Sequence, residues 1–265
     1  MSKNFELLQQ AGRQQEIYEN SKQERPRTPV DSPAADSIAT GTTQETTFVG
    51  TTALEPAGMA RDEITKLVHR LFLIPGTDAP HTVVFAGTEM GNGCSWLAAR
   101  TAEILASQVT GSVCLLDCNL RSPSLHSQFG LENHFGLSEA LSQNHQIGQY
   151  LRPLSMPNLW LLSCGSPAEN GAALLGSDRM RARLRELRAE NEYVIVDAGA
   201  LDSGTEGIVL GSLSDGVVLV LKANSSRRDS ARKSMKELHA ANVPILGVVL
   251  NRRTFPIPEA IYKHL

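Results

Sequence analysis

The sequence predicts an α/β fold: a doubly wound, mostly parallel sheet with helices on both faces. Three observations predict it. Short runs rich in β-branched residues (HTVVFAG, SVCLLDC, NLWLLS, EYVIVDA, GVVLVLK and ILGVVLN) are almost continuously apolar, as parallel strands covered on both faces must be. Longer amphipathic stretches lie between them, at Ser95–Ser107, Ser177–Glu190, Thr205–Leu213 and Arg228–Ala241. Strands that alternate with helices in this way imply right-handed βαβ crossovers within one sheet.

Residues 1–58 read as an arm that is disordered or weakly helical. They run from Gln-rich and charged stretches into PRTPVDSPAADSIATGTTQETT, which buries too little apolar surface to offset its ordering entropy. Phe5, Leu7, Leu8 and Ile17 give only a weak helical stripe over Asn4–Tyr18, and a linker or tether is the plain reading. Residues 59–265 form the predicted domain. It opens with ARDEITKLVHRLFL, where Ile64, Leu67, Val68 and Leu71 recur at helical spacing.

A chain of 265 residues with 41% apolar content can build one sizeable core plus a tail. The net charge of −3 gives no global argument for a nucleic-acid partner. Four cysteines, Cys94, Cys114, Cys118 and Cys164, are too few and too unevenly spaced for a disulfide framework or a zinc knuckle, so reduced and buried thiols are expected. His126, His134 and His145 have no metal-ligand spacing. Neither a signal peptide nor a run of about 18 apolar residues is legible, which predicts a cytoplasmic protein.

Three strand ends carry chemistry. The first strand runs into Gly87-Thr88-Glu89-Met90-Gly91-Asn92-Gly93-Cys94-Ser95 and then a helix. A Gly-rich turn between strand and helix binds phosphate, because backbone N–H groups and the helix N-terminus converge there on an anion. The P-loop pattern GxxxxGK[ST] would place Gly at 88 and Lys at 94; this chain has Thr88 and Cys94 but keeps Gly91, Gly93 and Ser95. The second strand closes on Asp117, followed by Asn119 and Arg121. The fourth closes on Asp197 after VIV, the Walker B arrangement that holds Mg²⁺ directly or through water. Either aspartate alone could instead cap the next turn. Trp96 reads as core packing or as a stacking surface, and the basic cluster Lys222–Lys233 as a solvated helix face or a docking patch.

From about Asp62 to Asn251 the chain resembles the bacterial tyrosine kinases of capsular and exopolysaccharide synthesis, relatives of the partitioning ATPases with a deviant Walker loop. The matching stretches include LLDCNLRSPSLHSQFG, GLSEAL, ENEYVIVDAG and SDGVVLVLKANSSRRDSARKSMKELHAANVPILGVVLNRR. The resemblance implies a P-loop NTPase-like domain that binds ATP and Mg²⁺. Gly91, Asn92, Gly93, Cys94, Ser95 and Trp96 would form the nucleotide loop, with Ser95 and Asp197 as Mg²⁺ ligands. Asp117 would act in the second Walker motif, and Asn251 would contact the base. Glu63, Lys66 and Arg70 match a degraded form of the family's Glu-x-x-Arg-x-x-Arg oligomerisation helix. The implied partner is a membrane-anchored polysaccharide co-polymerase or an intact kinase paralogue, with homo-oligomerisation as a further expectation.

The departures from the family pattern bear on activity. Cys94 replaces the phosphate-binding lysine, Asn119 the second acidic position, and Ala198-Gly199-Ala200 the usual Thr-Pro-Pro after the Walker B aspartate. The C-terminal tyrosine cluster is reduced to Tyr262. Phosphoryl transfer depends on placed positive charge, so losing the lysine should harm catalysis more than binding. Three readings follow: a catalytically impaired regulatory or assembly subunit, an active kinase or ATPase using Arg121, Arg227 or Arg228 as surrogate cation, and a thiol sensor. The last rests on Cys94 opening a helix, whose dipole would favour its thiolate.

Overall fold

A computed structural model describes residues 58–74, 79–167 and 171–253. Most of the predicted arm, and Tyr262, lie outside the described residues. Helix α1 (Gly58–Phe72) turns Ile64, Val68 and Phe72 into the core and leaves Glu63, Lys66 and Arg70 exposed. The chain then alternates as predicted: β1 (Thr82–Gly87), α2 (Cys94–Gln108), β2 (Val113–Asp117), the short α3 (Leu125–Gln128) and α4 (Leu137–Ser142), β3 (Arg152–Pro153) and β4 (Leu159–Leu162). There follow α5 (Gly171–Leu175), α6 (Asp178–Glu190), β5 (Tyr193–Ala200), α7 (Glu206–Ser212), β6 (Gly216–Lys222), α8 (Arg228–Ala240) and β7 (Ile245–Asn251).

The strands form one seven-stranded sheet in the order β3-β4-β2-β5-β1-β6-β7. All pairs are parallel except β3 with β4. Every residue of β1 and β2 is buried, which is why these strands read as unbroken apolar runs. Their alternate side chains feed two separate cores. Val83, Phe85, Val218 and Val220 pack against α1 and α2, whereas Val84, Ala86, Val217 and Leu219 pack against α4, α6, α7 and α8. Each fully buried Val, Leu or Phe contributes roughly 1.5–3 kcal/mol.

Side-chain caps set the connections. Asp215, just before β6, accepts the backbone N–H groups of His81 (2.8 Å) and Thr82 (2.7 Å), fixing where β1 begins. Asn158 donates to the carbonyls of Ala106, Val109 and Gly111 at 3.0–3.1 Å and ties the end of α2 to the start of β4. Ser177 caps α6 by accepting the Met180 N–H at 3.2 Å. The two-residue edge strand β3 is outside the sequence reading; Pro153 is tolerated there because an edge strand leaves one row of N–H positions unpaired.

This topology makes β2, β5 and β1 consecutive in the sheet. The loops leaving their carboxyl ends, where ligands of open α/β sheets bind, therefore converge.

Candidate functional site

The loop from Thr88 to Gly93 is pinned from several strands. The Thr88 N–H continues the β1–β6 ladder to the Val220 carbonyl at 3.1 Å. Asn92 is buried, and its amide donates to Thr88 Oγ1 and to the Val220 carbonyl, both at 2.9 Å. The Ser226 hydroxyl donates to Asn92 Oδ1 at 3.4 Å. From the far side, at the end of β7, the Asn251 amide donates to the Asn92 carbonyl at 2.9 Å. Gly91 and Gly93 take left-handed φ values of +79° and +78°. At Gly93 a side chain is excluded twice over, because a Cβ there would sit 2.5 Å from Asn251 Nδ2. The loop then opens into α2, whose first-turn N–H groups have no partner within the helix.

Cys94 is the first residue of α2 and is buried, with its thiol facing Asp197. The expectation of a thiolate is overturned here. Desolvation, followed by the negative charge of Asp197, pushes the thiol well above its ordinary range. The other three cysteines are also free and buried, as expected.

Asp117 and Asp197 are direct register partners on β2 and β5, and both are fully buried. Their hydrogen bonding differs. Asp117 Oδ1 accepts the Asn119 N–H at 3.1 Å, and Oδ2 accepts those of Leu125 (3.1 Å) and Ser124 (3.3 Å). The turn-capping role left open for this residue is therefore filled. Asp197 Oδ1 accepts a long bond from the Gly199 N–H, at 3.4 Å. Its Oδ2 is buried with no hydrogen-bond partner among the described residues. The Ser95 hydroxyl and Cys94 thiol lie near enough to favour the charged carboxylate, but neither completes a well-formed bond to Oδ2. Burial dominates at both positions: Asp117 is pushed up to about 7, first by desolvation and then by the charge of Asp197, and Asp197 is also raised by desolvation.

The loop with Cys94 and Ser95, and the residues that follow the two aspartates (Cys118, Asn119, Ala198 and Gly199), line a cleft of about 590 Å³, a volume suited to a ligand. Gly91, Asn92, Gly93, Cys94, Ser95 and Trp96 all border it, and Trp96 also packs against the core, as its packing reading has it. Asn251 stands behind the loop and contacts its carbonyls. Arg121 lines the cleft but is held by Glu206, with Nε and Nη2 each 3.0 Å from Oε1. Arg227 and Arg228 are exposed at the start of α8 and do not line the cleft. Arg252, which sequence reasoning missed, does line it.

The donor set fits a divalent cation with an attached polyanion. An orphaned, buried carboxylate oxygen beside a serine hydroxyl offers two hard oxygen ligands, and a cation would offset the desolvation of both aspartates. Among the described residues no cluster of three or more His, Cys, Asp or Glu offers an all-protein metal site.

A mostly parallel sheet whose first strand passes through a glycine-rich turn into a helix, with register-paired aspartates on adjacent strands toward their carboxyl ends, defines the P-loop class of α/β proteins. Comparison with known sequences places the chain within it. No family model matches. Over 161 residues the chain is 31% identical to the tyrosine-protein kinase YwqD of Bacillus subtilis, covering 61% of this chain and 68% of that relative. It is 30% identical over 171 residues to the putative tyrosine-protein kinase EpsB of Ralstonia nicotianae, of which it spans only 22%. The chain belongs to the bacterial tyrosine-protein kinase family. Solved structures share its fold: the chimerical protein CapA2B2 at TM-score 0.69 and 23% identity, covering 73% of this chain and 85% of that one. The kinase domain of the Escherichia coli tyrosine kinase ETK superposes at 0.65 and 22% identity, over 76% and 78% of the two chains.

Proposed function

We propose that this chain is a tyrosine-kinase-like subunit of exopolysaccharide or capsule synthesis that keeps a nucleotide cleft but is impaired in phosphoryl transfer. One observation carries the reading: a fully formed P-loop cleft with a buried, uncharged thiol, Cys94, at the lysine position. Ser95 and Asp197 would hold Mg²⁺, Asp117 would support Asp197 from the neighbouring strand, and the Gly91–Trp96 loop would carry the phosphates of ATP. Asn251, assigned to the base by resemblance, is proposed here to shape the loop as well. When bound, Mg²⁺ would supply positive charge to the phosphates.

By analogy with the family, the partner is a membrane-anchored polysaccharide co-polymerase or an intact kinase paralogue. The exposed face of α1 carrying Glu63, Lys66 and Arg70 is the proposed self-association surface. By the same analogy the chain is placed in the cytoplasm, at the inner membrane face through its partner; among the described residues no helix is long and apolar enough to cross a membrane. The burial of Cys94 and its Asp197 neighbour count against the thiol-sensor alternative.

The test is turnover. At saturating ATP and Mg²⁺ the native chain should transfer phosphate to tyrosine, or hydrolyse ATP, at least about a hundredfold below the 1–100 s⁻¹ typical of kinases. Turnover within that range would overturn the impaired-subunit reading in favour of an active kinase.

A further inference from the structure

We infer that Arg252 is the cationic phosphate contact of this cleft, reaching it from the end of β7 in place of the missing loop lysine. The inference rests on the reading that the cleft takes a nucleotide. A P-loop without its lysine still presents N–H dipoles, but the carboxylates on the cleft wall, Glu89 and Glu206, are acidic, and Asp117 and Asp197 lie buried in the strands that lead to it. A polyphosphate entering there needs a compensating cation. Two arginines line the cleft, and Arg121 is engaged by Glu206. Arg252 makes no ion pair among the described residues.

Its placement is specific. The order β1-β6-β7 brings the end of β7 alongside the loop that leaves β1. Arg252 Nε lies 3.7 Å from the point where a Gly93 Cβ would stand, so the guanidinium occupies the space that this glycine leaves open at the cleft wall. The backbone at Arg252 has φ +54°, an uncommon value for a residue with a side chain. It is fixed by its own N–H, which donates to Asn251 Oδ1 at 2.8 Å. Asn251 thus couples the two parts, its amide on the loop carbonyl and its carbonyl oxygen on the arginine backbone. A guanidinium offers a planar fork of donors suited to phosphate oxygens, so an arginine held beside the loop can supply the lost charge from a different origin. Approaching from β7 rather than from the loop helix, it favours binding without reproducing the lysine's contact in the transition state.

Calorimetry on the full chain with Mg²⁺ tests this, titrating ATP, ADP and adenosine into the native protein, Arg252→Ala, Arg252→Lys, Arg227→Ala and Cys94→Lys. The expected result is native binding of ATP that Arg252→Ala weakens about ten- to a hundredfold, the size of one charge-assisted contact. Arg252→Lys should recover part of it and Arg227→Ala should bind as native does. Adenosine should be indifferent to residue 252; an equal loss with adenosine would mean that Arg252 meets the base, and would overturn the inference. Equal ATP affinity of native protein and Arg252→Ala would overturn it while leaving the nucleotide cleft standing. Binding by Cys94→Lys alone would overturn it and mark the loop as intact but silenced. Absence of binding in every variant would overturn both the inference and the nucleotide reading.

Discussion

Asp117, the last residue of β2, and Asp197, within β5, stand opposite each other in register, and only Asp117 has its carboxylate capped on both oxygens by backbone N–H groups. Two carboxyls buried side by side cannot both ionise without cost. Asp117 is raised from its ordinary 3.8 to about 7, and Asp197 is raised as well. Each therefore takes up protons on folding at pH values between its unfolded and folded pKa. Stability that is fully present below about pH 4 should be lost as pH rises through about 7. Thermal melts of the metal-free protein from pH 4.5 to 7.5 should show a falling Tm. A Tm that rises over that window would mean that the pair is already compensated.

Asp197→Asn isolates the member whose Oδ2 has no hydrogen-bond partner among the described residues. It removes a buried charge whose Oδ2 makes no hydrogen bond, so in the absence of Mg²⁺ at pH 7.5 it should stabilise the fold by about 1–3 kcal/mol. It should also flatten the pH profile, because the charge of Asp197 is the second cause of the Asp117 shift. Added Mg²⁺ should raise the native Tm at pH 7.5 more than at pH 5 and leave Asp197→Asn unmoved. An equal Mg²⁺ response in both proteins would place the cation elsewhere.

The sheet was legible because its strands are covered on both faces, which leaves β1 and β2 no polar positions to blur the pattern. Helices α3, α4 and α5, of four to six residues, complete too few turns to show a period. The same limit hides parts of the site. Asn92 occupies a variable position of the loop motif, and nothing local announces that its amide will reach Val220. Arg252 reads as half of a basic pair after a strand; only the sheet order sets it beside Gly93. The thiolate expectation at Cys94 failed for a related reason: a helix terminus is visible in sequence, whereas burial against Asp197 is tertiary.

That burial sets a second expectation. Alkylation of the native chain at pH 8 should leave Cys94 almost unlabelled, whether or not ATP and Mg²⁺ are present, and labelling should become complete in denaturant. Mass mapping of the labelled peptides resolves the four thiols, of which Cys114 and Cys164 are pushed up to about 12. Rapid native labelling of Cys94 that ATP blocks would revive the sensor.

Helix α1 carries a prediction about assembly. Its buried side is made by Ile64, Val68 and Phe72, while Glu63 and Lys66 pair with each other at 2.7 Å on the exposed side and Arg70 lies on the same side. Exposed pairs of this kind contribute little to folding, so Glu63→Ala with Arg70→Ala should move stability by no more than about 0.5 kcal/mol. If this face joins copies of the chain, the double variant should nonetheless lower the mass measured by light scattering. An unchanged mass with unchanged stability would remove α1 from the assembly surface.

The contact between Gly93 and Asn251 can be tested as a pair. Gly93→Ala meets two penalties, a left-handed φ worth about 1–2 kcal/mol and a clash with Asn251 Nδ2. Asn251→Ala alone removes the donor to the Asn92 carbonyl and should cost about 1 kcal/mol. In the double variant the clash is gone and only the backbone strain remains, so the two losses should fall short of additive by about 0.5 kcal/mol or more. Urea unfolding of the four proteins measures this coupling. Strict additivity would mean that the loop and the end of β7 act independently, and the proposed route by which Arg252 reaches the cleft would lose its anchor.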